Sequence, residues 1–196
     1  MSEIKEKARD YLVLVNADNR LPQGFEDTFE LIWVENAVGD RFKVEKKTYE
    51  AFCALYDDVL KNDGIQIVLL NSYRTIEKQA EIYERNLKAY GLEHTKKYVA
   101  NPGCSEHNTG LAIDVGIMLN GKCYRKTEDL FTIDHLFKIF QKKLPRYGLI
   151  LRYPEGKESI TKIGYEPWHY RYLDSVEIAQ EITDKGICYE EYCQNI

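Results

Sequence analysis

No stretch of this 196-residue sequence approaches the roughly 18 consecutive apolar residues of a membrane-spanning helix. Apolar runs such as residues 11–15 and 65–70, the latter interrupted only by Gln66, are of core-strand length. Proline and glycine are sparse, at five and twelve residues, which excludes a linker-rich or disordered chain. Basic residues are outnumbered 27 to 32, giving a formal charge of −5, which argues against a protein devoted to the nucleic-acid backbone. The first ten residues are charged and lack the apolar centre of an export signal. With Met1 as the native start, the expected setting is therefore the cytoplasm. Five cysteines are an odd number without a tight framework and read as reduced thiols. A Rossmann fingerprint, a P-loop and a G-x-S-x-G elbow are all missing. So are repeats and composition breaks, and residues 1–196 read as one domain.

What is present is the ordinary mixture of a soluble globule, 44% hydrophobic and 30% charged. From Thr48, the residues Phe52, Leu55, Tyr56, Val59 and Leu60 follow helical spacing up to a stop at Asp63-Gly64. Residues 65–70 read as a central strand. Thr75 is placed to cap a second helix with Ile76, Ala80, Tyr83 and Leu87 inside and Gly91 as its stop. Residues 111–115 alternate as a strand with two unlike faces, and Asn120-Gly121 signals a turn. Asp134 opens a helix carrying Leu136, Phe137, Phe140 and Leu144. Residues 148–153 and 168–173 read as strands, and 175–185 as a terminal helix. The run at 11–15 reads as a short buried strand, whereas 22–44 shows no dominant period and reads as irregular. The order does not alternate as a doubly wound sheet would. An α+β domain is expected, with a mostly antiparallel sheet flanked by helices.

Only four histidines are present. His107 lies in a polar, glycine-bracketed loop, and Asp114 interrupts an apolar strand seven residues later. Such a carboxylate is costly to bury unless a cation or strong donors meet it, though backbone donors at a strand edge would also serve. In the strand at 168–173, Trp168, Tyr170 and Tyr172 share one face, while His169 and Arg171 share the other. The aromatic face reads as core rather than as a sugar or cofactor platform, with Trp168 kept as a candidate substrate contact. Pro167 forbids a regular ladder, and a bend there brings Glu166 towards His169. His107, Asp114 and His169 together form a two-nitrogen, one-oxygen set of the kind zinc takes, with a fourth position left for water. Glu166 is then a spare carboxylate suited to general-base work. Arg74 follows a buried strand, where a fixed guanidinium can meet a carboxylate bidentately. His94 and His135 read as solvated. A nucleophilic Cys104 beside His107 is a weaker rival, since it leaves Asp114, Glu166 and His169 unused. An isolated C-x4-C, Cys188 and Cys193, says little.

These residues carry a resemblance. Ser105-Glu106-His107-Asn108-Thr109-Gly110-Leu111-Ala112-Ile113-Asp114 is similar to the S-x-H-x-x-G-x-A-x-D motif of zinc D-alanyl-D-alanine carboxypeptidases of the VanY/VanXY type. Glu166-Pro167-Trp168-His169 resembles the same family's E-P-W-H motif, and Ser72-Tyr73-Arg74 its upstream arginine motif. The resemblance implies that His107, Asp114 and His169 hold Zn2+ and that Glu166 is the catalytic base. Arg74 would hold the substrate or its developing oxyanion, with Gln79 and Ser105 as further substrate contacts. It also implies the α+β fold shared with the Hedgehog signalling domain. The implied partners are peptidoglycan precursor peptides ending in D-Ala-D-Ala. An L,D-carboxypeptidase, an endolysin-type peptidase and a non-catalytic zinc-fold binding protein are the alternatives. Ser72, Lys162 and Leu173-Asp174 depart from common family residues, and none is itself an implied ligand or the base.

Overall fold

Two periodicities meet in the interior, a helical stripe and a set of alternating strands. The computed structural model describes residues 10–28 and 30–194; apart from Asp10, the charged N-terminal decapeptide lies outside them. A hairpin of β1 (Leu31–Glu35) and β2 (Arg41–Glu45) leads directly into α1 (Lys46–Asp63). Then follow β3 (Gln66–Asn71), α2 (Ile76–Tyr98), β4 (Ala112–Leu119) and β5 (Lys122–Tyr124). Next come α3 (Thr127–Thr132), α4 (Asp134–Gln141), β6 (Leu149–Leu151) and α5 (Glu158–Thr161). The chain closes with β7 (His169–Tyr172), α6 (Val176–Lys185) and α7 (Tyr189–Cys193).

The main sheet runs β3-β4-β7-β6, with β5 also paired to β4, and every pair is antiparallel. The expected α+β class with helices on an antiparallel sheet holds. Phe52, Leu55 and Val59 of α1 pack on Ile67 and Leu69 of β3 and on Ile113, Val115 and Ile117 of β4. Phe137 and Phe140 of α4 complete that cluster. The opposite face of β4 carries Asp114. Among the described residues, no helix is long and apolar enough to cross a membrane.

Helix starts follow the sequence. The Thr75 side chain accepts from the Lys78 amide, and Ser175 accepts from the Ile178 amide. Gly64 takes a left-handed conformation (φ 68°) at the end of α1, as an αL stop requires.

Five expectations are corrected. Residues 22–44 are not irregular throughout, since they contain β1 and most of β2. Trp33 sits on the solvent side, 62% exposed, with Arg41 and Lys43 over its ring at 5.8 and 5.5 Å. An aromatic held outside by cations breaks the apolar/polar alternation by which a strand is recognised. Gly91 does not end the second helix; it kinks it (φ 78°, ψ 174°), and α2 resumes as far as Tyr98. Residues 11–15 are buried at Val13 and Val15 but join no strand. Side chains satisfy their backbone instead: Arg171 Nη2 donates to the Tyr11 and Val13 carbonyls, and Tyr189 Oη to that of Leu12. Finally, β6 is shorter than the 148–153 expected, and α4 stops before Leu144, which lies in a 3-10 turn.

Two outcomes follow from this packing. A Cβ on Gly116 would stand 2.5 Å from the Tyr124 carbonyl oxygen and 2.9 Å from Leu70 Cδ1. Gly116→Ala should therefore lower stability by about 1–3 kcal/mol, read as a lower urea midpoint at unchanged slope. Asp58 accepts hydrogen bonds from Asn62, Lys143 and Tyr147, which hold its carboxyl down at about 2. Its contribution is complete above the ordinary aspartate range near ~3.9 and is lost as pH falls through about 2. The stability gap between wild type and Asp58→Asn should accordingly close between those limits, measured by urea unfolding at stepped pH.

Candidate metal centre

Three elements converge on Asp114. It lies in β4 opposite His169 of β7, so the two are cross-strand neighbours by register. His107 comes from a 3-10 turn, Glu106–Thr109, which ends at Gly110 (φ 73°), where Leu31 and Glu45 would crowd a Cβ. The end of β3 closes the group: its register to β4 shifts between Leu69 and Asn71, and Asn71 Nδ2 donates to Asp114 Oδ2 at 3.1 Å.

One donor atom from each of His107, Asp114 and His169 lies within 4.8 Å of the other two. His107 Nε2 is 3.2 Å from Asp114 Oδ2, and His169 Nδ1 is 3.0 Å from Asp114 Oδ1. Donors around a tetrahedral zinc stand roughly 3.3 Å apart, so these spacings fit with little movement. His107 Nδ1 sits 2.7 Å from the Ser72 carbonyl, which can only accept. The ring proton is therefore on Nδ1, and the Nε2 lone pair is free for a metal. A neutral ring suits this role, and burial pushes His107 down to about 4. Burial also opposes charge on His169, but its hydrogen bond to Asp114 and the nearby carboxylates raise it to about 9. The two histidines together hold Asp114 well below the usual carboxylate range despite its burial.

Glu166 reaches the same group through the turn at Pro167, which is closed by the His169 amide donating to the Glu166 carbonyl. Its Oε2 is 3.6 Å from His169 Nδ1. Burial, reinforced by the negative Asp114, pushes Glu166 up to about 7, against the pull of His169 and Arg74. Arg74 donates from Nη2 to Asp114 Oδ2 and from Nη1 to Gln79 Oε1. Gln79 is anchored in turn on the Ala100 carbonyl. Asn108 ties the loops together, donating to the Arg74 carbonyl and accepting from the Gly103 amide.

All eight residues singled out from the sequence (Arg74, Gln79, Ser105, His107, Asp114, Glu166, Trp168 and His169) line one cavity of 470 Å³. Trp168 does two things: it packs in the main apolar cluster and also forms part of the wall, edge-on to Phe131 at 5.0 Å. Cys104 is not among the lining residues, and burial raises its thiol pKa, the opposite of an activated nucleophile. His94 is exposed, between Tyr90 and Tyr98 on the cavity wall, and His135 is exposed and does not line it. Cys188 and Cys193 are unpaired.

Sequence reasoning missed Tyr153, whose ring stacks at a tilt 4.8 Å from His169 in the cavity wall. It also missed the charges behind the centre. Glu106, Arg152 and Arg171 are all buried. Charged residues in the apolar segments that become β6 and β7 were the available signal, the same one that exposed Asp114.

The family profile described as VanY, D-alanyl-D-alanine carboxypeptidase, matches residues 41–175. The bifunctional D-Ala-D-Ala dipeptidase and carboxypeptidase VanXYC of Enterococcus gallinarum is 45% identical over 145 residues, 70% of this chain and 72% of that protein. A crystal structure of a vancomycin-resistance D,D-pentapeptidase VanY variant with Zn(II) superposes with a TM-score of 0.73 at 31% identity. That match covers 93% of this chain and 98% of the other. The LdcB LD-carboxypeptidase superposes with a TM-score of 0.80 at 31% identity, over 96% and 87%.

Zinc bound by the folded centre alone must stabilise the fold. At about a hundred times its Kd it should add about 2.7 kcal/mol, read as a zinc-dependent rise in the urea midpoint that His107→Ala abolishes. A midpoint indifferent to zinc would show that the three donors do not hold it.

Proposed function

The chain belongs to the VanY family of D-alanyl-D-alanine carboxypeptidases, and from this membership we propose that it hydrolyses the D-Ala-D-Ala end of peptidoglycan precursors as a zinc-dependent D,D-carboxypeptidase and D,D-dipeptidase. Its place in vancomycin resistance, where the zinc-bound VanY belongs, is part of the same reading. The observation that carries it is Glu166: a buried carboxylate held near 7, beside a three-donor centre and in one cavity with Arg74.

His107, Asp114 and His169 would hold a zinc ion, with His107 Nε2, the Asp114 carboxylate and His169 Nδ1 as the available donors. Once bound, zinc would supply Lewis acidity towards the scissile carbonyl and a lowered pKa, towards about 7, for water. Glu166, with an affinity for protons matched to neutral pH, takes the proton of the attacking water. It then delivers that proton to the departing D-alanine amine. Arg74 is already fixed by Asp114 and Gln79, so its remaining N–H groups meet the substrate carboxylate or the developing oxyanion without reordering. Ser105 and Gln79 offer polar contacts, and Trp168 an apolar wall. The five free cysteines support a reducing, cytoplasmic setting.

The likeness to the LdcB structure supports a second reading, L,D-carboxypeptidase activity on tetrapeptides. The 45% identity to a bifunctional D-Ala-D-Ala enzyme favours the first. Release of D-alanine from pentapeptide, tetrapeptide and free dipeptide, with and without chelator, separates them. Chelator-sensitive release from pentapeptide and dipeptide is expected, with tetrapeptide resistant. Glu166→Ala should lower kcat/KM by about 100- to 10,000-fold while zinc content stays at the wild-type level. Normal turnover in the zinc-loaded variant would remove Glu166 from the role of base.

A further inference from the structure

The two ring nitrogens of His169 face different neighbours. Nδ1 is turned to Asp114 and Glu166, the metal side. Nε2 points the other way, at Glu106 Oε2, 3.9 Å off. Among the described residues, neither Nε2 nor that oxygen has a hydrogen-bond partner, although both side chains are essentially buried. The other oxygen of Glu106 is fully engaged. Its Oε1 accepts from Arg152 Nε at 2.7 Å and from Arg171 Nη1 at 2.8 Å. Two orphaned atoms of opposite character thus look at each other across one short gap behind the metal site.

We propose that Glu106 is a positioning residue for His169, its spare oxygen accepting the Nε2 proton and so fixing the tautomer in which Nδ1 presents a lone pair to the metal. The inference rests on the zinc reading above and extends it to a residue that touches neither metal nor substrate. A ring nitrogen binds a metal only through its lone pair, so a metal-bound Nδ1 requires the proton on Nε2. A buried N–H without an acceptor is costly, and Glu106 Oε2 is a partnerless acceptor facing it. The two arginines keep that carboxylate ionised in the interior and hold its position. His107 is served in the same manner by the Ser72 carbonyl, so each histidine has its own acceptor opposite the metal.

Glu106→Gln tests the acceptor. The Gln carbonyl would stay with the arginines, leaving the amide N–H groups towards Nε2, donor against donor. Glu106→Asp keeps the charge and retracts the oxygen by one methylene. Glu190→Gln is the control: Glu190 pairs with Arg152 in the same network but does not face His169. Zinc affinity of each full-length variant is measured by chelator competition, and the zinc-loaded wild type is examined by imidazole 15N NMR. Expected are a roughly 10- to 100-fold weaker zinc affinity in both Glu106 variants, near wild-type affinity in Glu190→Gln, and a His169 proton on Nε2. Wild-type affinity in the Glu106 variants, an equal loss in Glu190→Gln, or a wild-type ring without the Nε2 proton would each overturn the proposal. His169→Ala tells the two readings apart: if it binds zinc like wild type, the metal assignment itself fails.

Discussion

A carboxylate buried between two guanidinium groups organises this molecule. Glu106 meets Arg152 of the segment leaving β6 and Arg171 of β7, all three essentially without solvent contact. Burial alone would drive Glu106 towards its neutral acid, yet Arg152 and then Arg171 hold it well below the ordinary carboxylate range. Glu190 of α7 closes the set with two bonds to Arg152, leaving two positive and two negative charges in one dry volume. Such a group is not a simple source of stability, because the desolvation of each ion offsets much of the attraction. Its consequence is positional, since Glu106 is held at the one point both guanidinium groups reach.

That constraint reaches parts of the chain far apart in sequence. Arg171 also donates to the carbonyls of Tyr11 and Val13, so the N-terminal extended segment is held by a strand residue rather than by a strand. Asn16 and Arg152 share Glu190, which draws the C-terminal helix to the same point. On the other side of the two sheet residues lies the candidate metal centre. His107 follows Glu106 directly, and His169 is two residues before Arg171 on the same strand face. The charged network and the donor set are therefore two sides of one arrangement, with Glu106 and the His169 ring between them.

The open side is shaped differently. Asp114 and His169 are brought together by sheet register, His107 by a glycine-ended turn, and Glu166 by a proline that breaks the strand just before it begins. Arg74 is fixed before any substrate arrives, by backbone bonds to the turn at Glu106–Thr109 and by side-chain bonds to Gln79 of α2 and Asp114 of β4. Preorganisation of this kind matters because a donor already held in place costs nothing to orient when charge develops. The main apolar cluster, built by α1, α4 and the inner face of the sheet, keeps the register from slipping. A shift of one residue would turn Asp114 into the core.

Much of this was legible in the sequence because it is local chemistry. The helical stripe from Thr48, the cap at Thr75, the alternation at 168–173 and the bend at Pro167 each depend on residues within a few positions of one another. The candidate ligand set was legible for a related reason, a carboxylate and histidines set among apolar and glycine-bracketed residues, and through the likeness of those residues to two family motifs. Other features were not legible. The β1–β2 hairpin hid behind an exposed Trp33, and Gly91 looked like a stop but is only a kink, since residues beyond it could resume the helix. Residues 11–15 have the composition of a strand, and only the approach of Arg171 and Tyr189 decides that their carbonyls bond to side chains. Sequence alone determined which residues can carry charge, metal and proton transfer, because those capacities belong to the side chains themselves. Tertiary structure alone decided which nitrogen of His169 faces Asp114 and which faces Glu106, because that orientation depends on strand register and on a carboxylate that Arg171 holds from 65 residues away in sequence.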